Sequence, residues 1–164
     1  MRVYLPATLS ALAELHKTGR LTPAPLTAYA VTPALREWYT DGDSEQLEYA
    51  AMTDAARASL RLLAEAPEAP RRRVVIAAEV PDTQAVPMHD ASQPGLVRVA
   101  AEVPVSWVAS LHVDDPAVLD EVALAVELLG AAETGDEDAA FTVDGIDDHE
   151  LLWYATQELP DLLG

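Results

Sequence analysis

Residues 71–80, RRRVVIAAEV, form a short continuous apolar run entered through three arginines and stopped by Pro81. Periodicity alone does not separate such a run from a buried helix, but its β-branched Val74, Val75, Ile76 and Val80, its brevity and its proline stop all favour a strand. The expectation is a buried central strand, and the rest of the chain can be arranged around it.

On the N-terminal side, MRVYL begins a strand that Pro6 should close, and Thr8 offers its hydroxyl as N-cap to a helix that ends at Gly19. Leu9, Leu12, Ala13 and His16 are the expected buried face of that helix. After the connector TPAP at 22–25, LTAYAV predicts a short strand, and Thr32 followed by Pro33 starts a short helix that breaks near Asp41 and Gly42. Asp43 and Gln46 have the spacing of a capping box for the longest helix, from Ser44 to about Ala66. Its expected stripe is Leu47, Ala51, Ala55, Ala58 and Leu62.

On the C-terminal side, residues 81–95 lack an apolar period and are rich in Pro, Asp, Gln and Ser, which predicts the longest loop. Strands are expected over 96–103 and 107–113. Asp115 and Pro116 then cap a helix striped by Val118, Val122, Ala125, Val126 and Leu129 and ended by Gly130. ETGDED reads as an acidic linker, and FTV at 141–143 as a strand or an anchor. A last helix is expected from Asp148 to Leu159, capped by Asp147. Helices clustered early and late around three consecutive strands predict an α+β class over a single domain, residues 1–164. The architecture expected is a two-layer sandwich, with a central, mainly antiparallel sheet of about five strands, a meander in its middle and helices packed on it.

The 164 residues carry 28 acidic and 10 basic side chains, a formal net charge of -18. Every Lys and Arg lies at or before Arg98, so residues 99–164 hold carboxylates alone. Phosphate recognition needs clustered Lys and Arg, so nucleic acid is not an expected partner of this region, and the same field repels anionic lipid. There is no cysteine, and neither a charged-then-apolar leader nor a long uncharged apolar run is present. Together these features predict a cytoplasmic protein without a membrane span.

MRVYLP, VTPALREWY, EYAAMTDAARASLRLL, RRRVVIAAEVP, LHVDD, FTVDG and HELLWYATQEL together resemble a family of small uncharacterised actinobacterial proteins, a domain of unknown function. The resemblance covers nearly the whole chain. It implies a cytoplasmic protein from a GC-rich source and brings no residue roles with it.

His112 and Asp114 lie two apart on an expected strand, where an imidazole oriented by a carboxylate can act as a base or a ligand. The alternative is plain alternation, with Ser110, His112 and Asp114 on a wet face and Trp107, Ala109, Leu111 and Val113 on a dry one. Asp144, Asp147, Asp148, His149 and Glu150 gather around an expected helix start. Their oxygens are metal candidates for Ca²⁺ or Mg²⁺, although the EF-hand spacing is missing and capping explains acidic residues there equally well. Arg71, Arg72 and Arg73 could hold an anionic ligand or form internal ion pairs. The Trp-Tyr pairs at 38–39 and 153–154 suggest packing before a stacking platform. No nucleophile motif, phosphate loop, dinucleotide fingerprint or Cys-His spacing occurs, so no cofactor is expected and nothing motivates an enzyme.

Two functions follow. The first is a non-enzymatic binding or regulatory module that meets a protein partner through its acidic surface or the 81–95 loop. The second is a small enzyme or ligand-binding protein with a site at His112, Asp114 and that loop. The oligomeric state is left open.

Overall fold

Sheet pairing makes residues 74–79 an interior strand, with partners on both sides. The computed structural model describes residues 1–39 and 42–163. The elements, in chain order, are β1 (Arg2–Ala7), α1 (Leu9–Thr18), β2 (Arg20–Leu21), β3 (Leu26–Tyr29), α2 (Pro33–Trp38), α3 (Ser44–Ala64), β4 (Val74–Glu79), β5 (Ala85–Pro87), β6 (Leu96–Val99), β7 (Val103–Pro104), β8 (Val108–Val113), α4 (Leu119–Glu133), α5 (Glu137–Gly145), β9 (Leu152–Tyr154) and α6 (Leu159–Leu163). The main sheet runs β5-β6-β3-β1-β4-β8-β9, and β2 pairs with β7 in a small second sheet. Every pairing is antiparallel.

The α+β class holds, with seven strands in the main sheet where about five were expected. Helices cover both faces. On one, α1 and α6 supply Leu12, Leu15 and Leu159 to a core shared with Val3, Leu5, Ile76, Leu111 and Val113. On the other, Leu47, Ala51 and Ala55 of α3 pack on Tyr4, Tyr29, Val75 and Ala77. A third cluster joins Leu60 and Leu63 of α3 to Val122, Val126 and Leu129 of α4 and Val143 of α5. The expected middle meander does not form, because β6 pairs with β3 while β4 sits between β1 and β8.

Local capping signals place the helix starts. Thr8, Thr32 and Asp43 each accept a main-chain N–H from the first turn, Gln46 completes the box at Asp43, and Gly19 closes α1 in the left-handed conformation at φ 81. The expected break at Asp41 lies outside the described residues. The stripes needed correction wherever a helix serves two neighbours. On α1 the buried residues are Leu12 and Leu15, while Ala13 and His16 face solvent. On α3 the buried line moves after Ala55 to Ser59, Leu60 and Leu63, because the second half of the helix must also meet α4. Ser59 ties that helix to the sheet, donating to the Ala7 carbonyl at 2.7 Å and accepting the Val74 N–H at 2.9 Å.

Five expected boundaries or elements differ. β1 continues through Pro6, which pairs opposite Val75. Val103 does not extend β6 and instead pairs with Leu21. α4 runs past Gly130 to Glu133, and Phe141–Val143 lies inside α5, whose N-cap is Asp136. No helix begins at Asp148. Residues 146–148 form a single 3-10 turn, and Leu152–Tyr154 is drawn into the sheet by the open edge of β8. Among the described residues, no helix is long and apolar enough to cross a membrane.

Candidate functional site

The three arginines end before the strand begins, and each is used differently. Arg71 donates through Nη1 to the carbonyls of Leu63 and Ala66 at the end of α3, each of which also accepts a main-chain N–H. Arg72 donates through Nε to the Asp114 carbonyl at 2.9 Å. Arg73 stands opposite Asp114, one step beyond the β4–β8 ladder that pairs Val74 with Val113. Its main-chain N–H and its Nε both donate to Asp114 Oδ2, at 2.8 and 2.9 Å, and its Nη2 donates to Asp114 Oδ1 at 2.8 Å. Nη2 also donates to the His149 carbonyl at 2.9 Å. Arg73 is 1 % exposed and Asp114 0 %, so both charges are desolvated and depend on each other.

That arrangement leaves one end of the guanidinium free. Of its five N–H donors, Nε and both Nη2 protons are occupied. Nη1 makes no hydrogen bond among the described residues, yet it is not one of the fully enclosed unpaired atoms, which are Arg57 Nε and Asp147 Oδ1. The surface that remains to Arg73 opens into a cavity of about 200 Å³.

His112 lines the same cavity. The expected alternation holds from Ser110 to Asp114 and breaks at Ala109, where the register with β4 shifts and Val108 takes the buried place, and the face assigned to water is covered. Ser110 and Asp114 are buried and His112 is half-buried, because β8 is an interior strand and that face turns toward the α3 layer. Leu111 and Val113 point into the opposite core, while Ala109 is exposed and Trp107 precedes the strand in a 3-10 turn. Ser110 Oγ lies 2.9 Å from His112 Nε2. Burial, reinforced by the Arg2 charge, lowers the imidazole to about 4, so His112 is neutral near pH 7. Its Nδ1 has no partner among the described residues to orient it as a base.

The opposite wall comes from α3. Tyr49, Met52, Thr53 and Ala56, spaced i, i+3, i+4 and i+7, face the cavity, and Leu151 closes it on the approach to β9. Glu150 stands at the exposed rim with His149. Asp147 lines one side. Burial raises its carboxyl above the ordinary range, with Arg57 and Arg73 opposing that shift.

The other sequence candidates fall into separate places. Asp144 Oδ1 and Asp147 Oδ2 both accept from Arg57 Nη2, at 2.9 and 3.3 Å, so one oxygen of each serves an arginine. Asp148 is exposed on the 3-10 turn and Glu150 belongs to the cavity rim. The expected helix start that would have gathered them is absent, and among the described residues no three His, Cys, Asp or Glu side chains are placed to hold a metal ion. The 81–95 segment holds a 3-10 turn and β5, and β5 lies at the sheet edge opposite β9, far across the sheet from His112. Trp38 and Trp153 are largely exposed. The acidic third is partly met by cations of the first half: Arg57 as above, Arg61 with Glu133 at 2.9 Å, and Arg73 with Asp114.

Sequence reasoning missed Tyr49, Met52, Thr53 and Ala56 as site residues. Their helical spacing was the available signal, but an ordinary helix face shows it too.

Residues 1–163 match the model described as a family of unknown function (DUF6912), and the chain belongs to that family. Neither a curated protein nor a solved structure matches it.

Proposed function

We propose that this protein binds a small molecule in the cavity between α3 and β8, and that it acts by binding without covalent chemistry. The observation that carries this reading is Arg73, a fully buried guanidinium held rigid by Asp114 with Nη1 left unbonded toward the cavity. Nη1 is not enclosed, so water can meet it in the free protein; a donor fixed in place at a cavity wall is a polar group of the kind that orients a bound ligand, which would accept from it in place of that water. A binding role suits the Ser110–His112 pair better than acyl transfer does. Ser110 is 5 % exposed and outside the cavity lining, and its imidazole neighbour lacks an orienting third group. Ligand-observed NMR screening of small polar molecules tests the reading, comparing the wild type with Ala56→Met, which fills the cavity from α3. Hits that vanish in the variant are expected. An absence of hits, or hits indifferent to the filling, would overturn it.

A protein partner is the second reading, favoured by Phe141, which is 83 % exposed on α5 between Asp138 and Asp144. A large apolar ring ringed by carboxylates suits a basic surface with an apolar pocket, and disfavours nucleic acid. With either reading we propose a cytoplasmic protein, which the absence of cysteine supports. Co-purification from the native host, lost on Phe141→Ser, would support this one.

A further inference from the structure

Resting on the ligand-binding reading above, we infer that the cavity takes a small organic cation bearing a neutral acceptor: an amine whose carbonyl oxygen meets Arg73 Nη1 and whose ammonium meets Glu150.

The inner end sets the first requirement. Arg73 presents donors alone, so the group against it must accept. A carboxylate would accept well, but the guanidinium charge is already matched by Asp114, to which it is bonded at 2.8 and 2.9 Å. The remaining charged walls are Asp147, which is paired to Arg57, and Glu150, which has no cationic partner among the described residues. His112 is neutral. An anion entering here would gain little from a neutralised arginine and would meet uncompensated carboxylate charge, whereas a carbonyl oxygen satisfies Nη1 at no charge cost.

The outer end sets the second. Glu150 lies at the solvent-exposed rim, where an ammonium keeps part of its hydration while gaining a counter-charge. Tyr49, also at the rim and half exposed, adds an aromatic face. Met52, Ala56 and Leu151 also line the cavity and give it an apolar wall. The volume of about 200 Å³ suits a fragment-sized ligand.

Three near-isosteric probes separate the charge classes: L-alaninamide (cation with amide), propanamide (neutral amide) and propanoate (anion). Each is titrated into ¹⁵N-labelled full-length protein, following backbone shifts at Ala56, Arg73, His112 and Leu151. Alaninamide should saturate these shifts and bind more tightly than propanamide by roughly 1.4-fold to fivefold, the range of one exposed ion pair. Propanoate should leave them unmoved. Glu150→Gln should remove the difference between the two amides, while Glu137→Gln, on α5 away from the cavity, should preserve it. Propanoate binding as well as alaninamide, or the two amides binding equally to the wild type, would overturn this assignment and leave ligand binding standing. Silence from all three probes, together with a failed fragment screen, would overturn both.

Discussion

Asp114 Oδ2 accepts two hydrogen bonds from Arg73, one from the main-chain N–H at 2.8 Å and one from Nε at 2.9 Å. A single carboxylate oxygen thus fixes both the backbone entering β4 and the side chain that reaches the cavity. Removing either partner strands a buried charge, so Arg73→Met or Asp114→Asn should cost about 3 to 5 kcal/mol in urea unfolding. The double variant Arg73→Met/Asp114→Leu should recover most of that loss, because two apolar side chains need no partner. Single variants as stable as the wild type would mean that the pair is solvated.

His112 supplies a pH dependence of known sign. In the unfolded chain its imidazole takes a proton near 6.5, and in the fold only near 4. Between those values the unfolded chain binds more protons, so the contribution is present above about 6.5 and is lost as pH falls toward 4. Asp54 and Asp147, both raised by burial, act in the opposite direction. Their contribution is present below the ordinary carboxylate value and is lost as pH rises through their folded-state values. His112→Asn should therefore flatten or reverse the loss of Tm between pH 7 and pH 5. NMR titration giving the folded ring a value above 6 would remove the basis of this prediction.

Arg57 bridges Asp144 and Asp147 across the junction of α3 with α5. Its loss leaves two carboxylates near each other in a region without other basic side chains of its own. Arg57→Met should cost about 1 to 2 kcal/mol, between an exposed ion pair and a hydrogen bond to a charged group. It should also make Tm rise more steeply with NaCl than in the wild type, since the added repulsion is screened within about 10 Å at 0.1 M salt. Parallel salt responses would show that Arg57 does not offset the acidic charge.

The segment expected to be a loop over 81–95 is held at both ends. Ala85–Pro87 pairs with β6. On the far side, Gln93 accepts from the Tyr29 hydroxyl, Pro94 accepts from Thr32 Oγ1, and Gly95 accepts from the Ala30 N–H at 2.9 Å. Gly95 favours this close approach, because a Cβ would meet the Ala30 carbonyl oxygen at 3.0 Å, a tight contact. Limited proteolysis should therefore cut first within residues 89–92, whose hydrogen bonds are mostly local. First cuts within 82–87 would contradict the pairing of β5.

What was legible in the sequence was local. Thr8, Thr32, Asp43 with Gln46, and Gly19 announce helix ends because a cap acts within one turn. Val74–Ala78 announces a buried strand because all five residues are apolar. Leu152–Tyr154 was misread because its strand depends on the β8 edge, about forty residues earlier in the chain. The site divides the same way. His112 and Asp114 stand out by type and spacing, but the face they share becomes a wall only once α3 crosses the sheet. The Arg73–Asp114 bond spans 41 positions that no local rule connects.

The central claim is that Arg73 Nη1 awaits an acceptor, and the guanidinium resonances of Arg73 report on it most directly. In ¹⁵N-resolved spectra of the free protein, the Nε–H and Nη2 protons should be protected from water by Asp114 and His149, while the Nη1 protons exchange. Adding L-alaninamide should slow Nη1 exchange and shift its resonance in step with the backbone of Ala56 and His112. Nη1 protons already protected in the free protein, or unchanged when every probe in the fragment screen is at saturating concentration, would contradict the account.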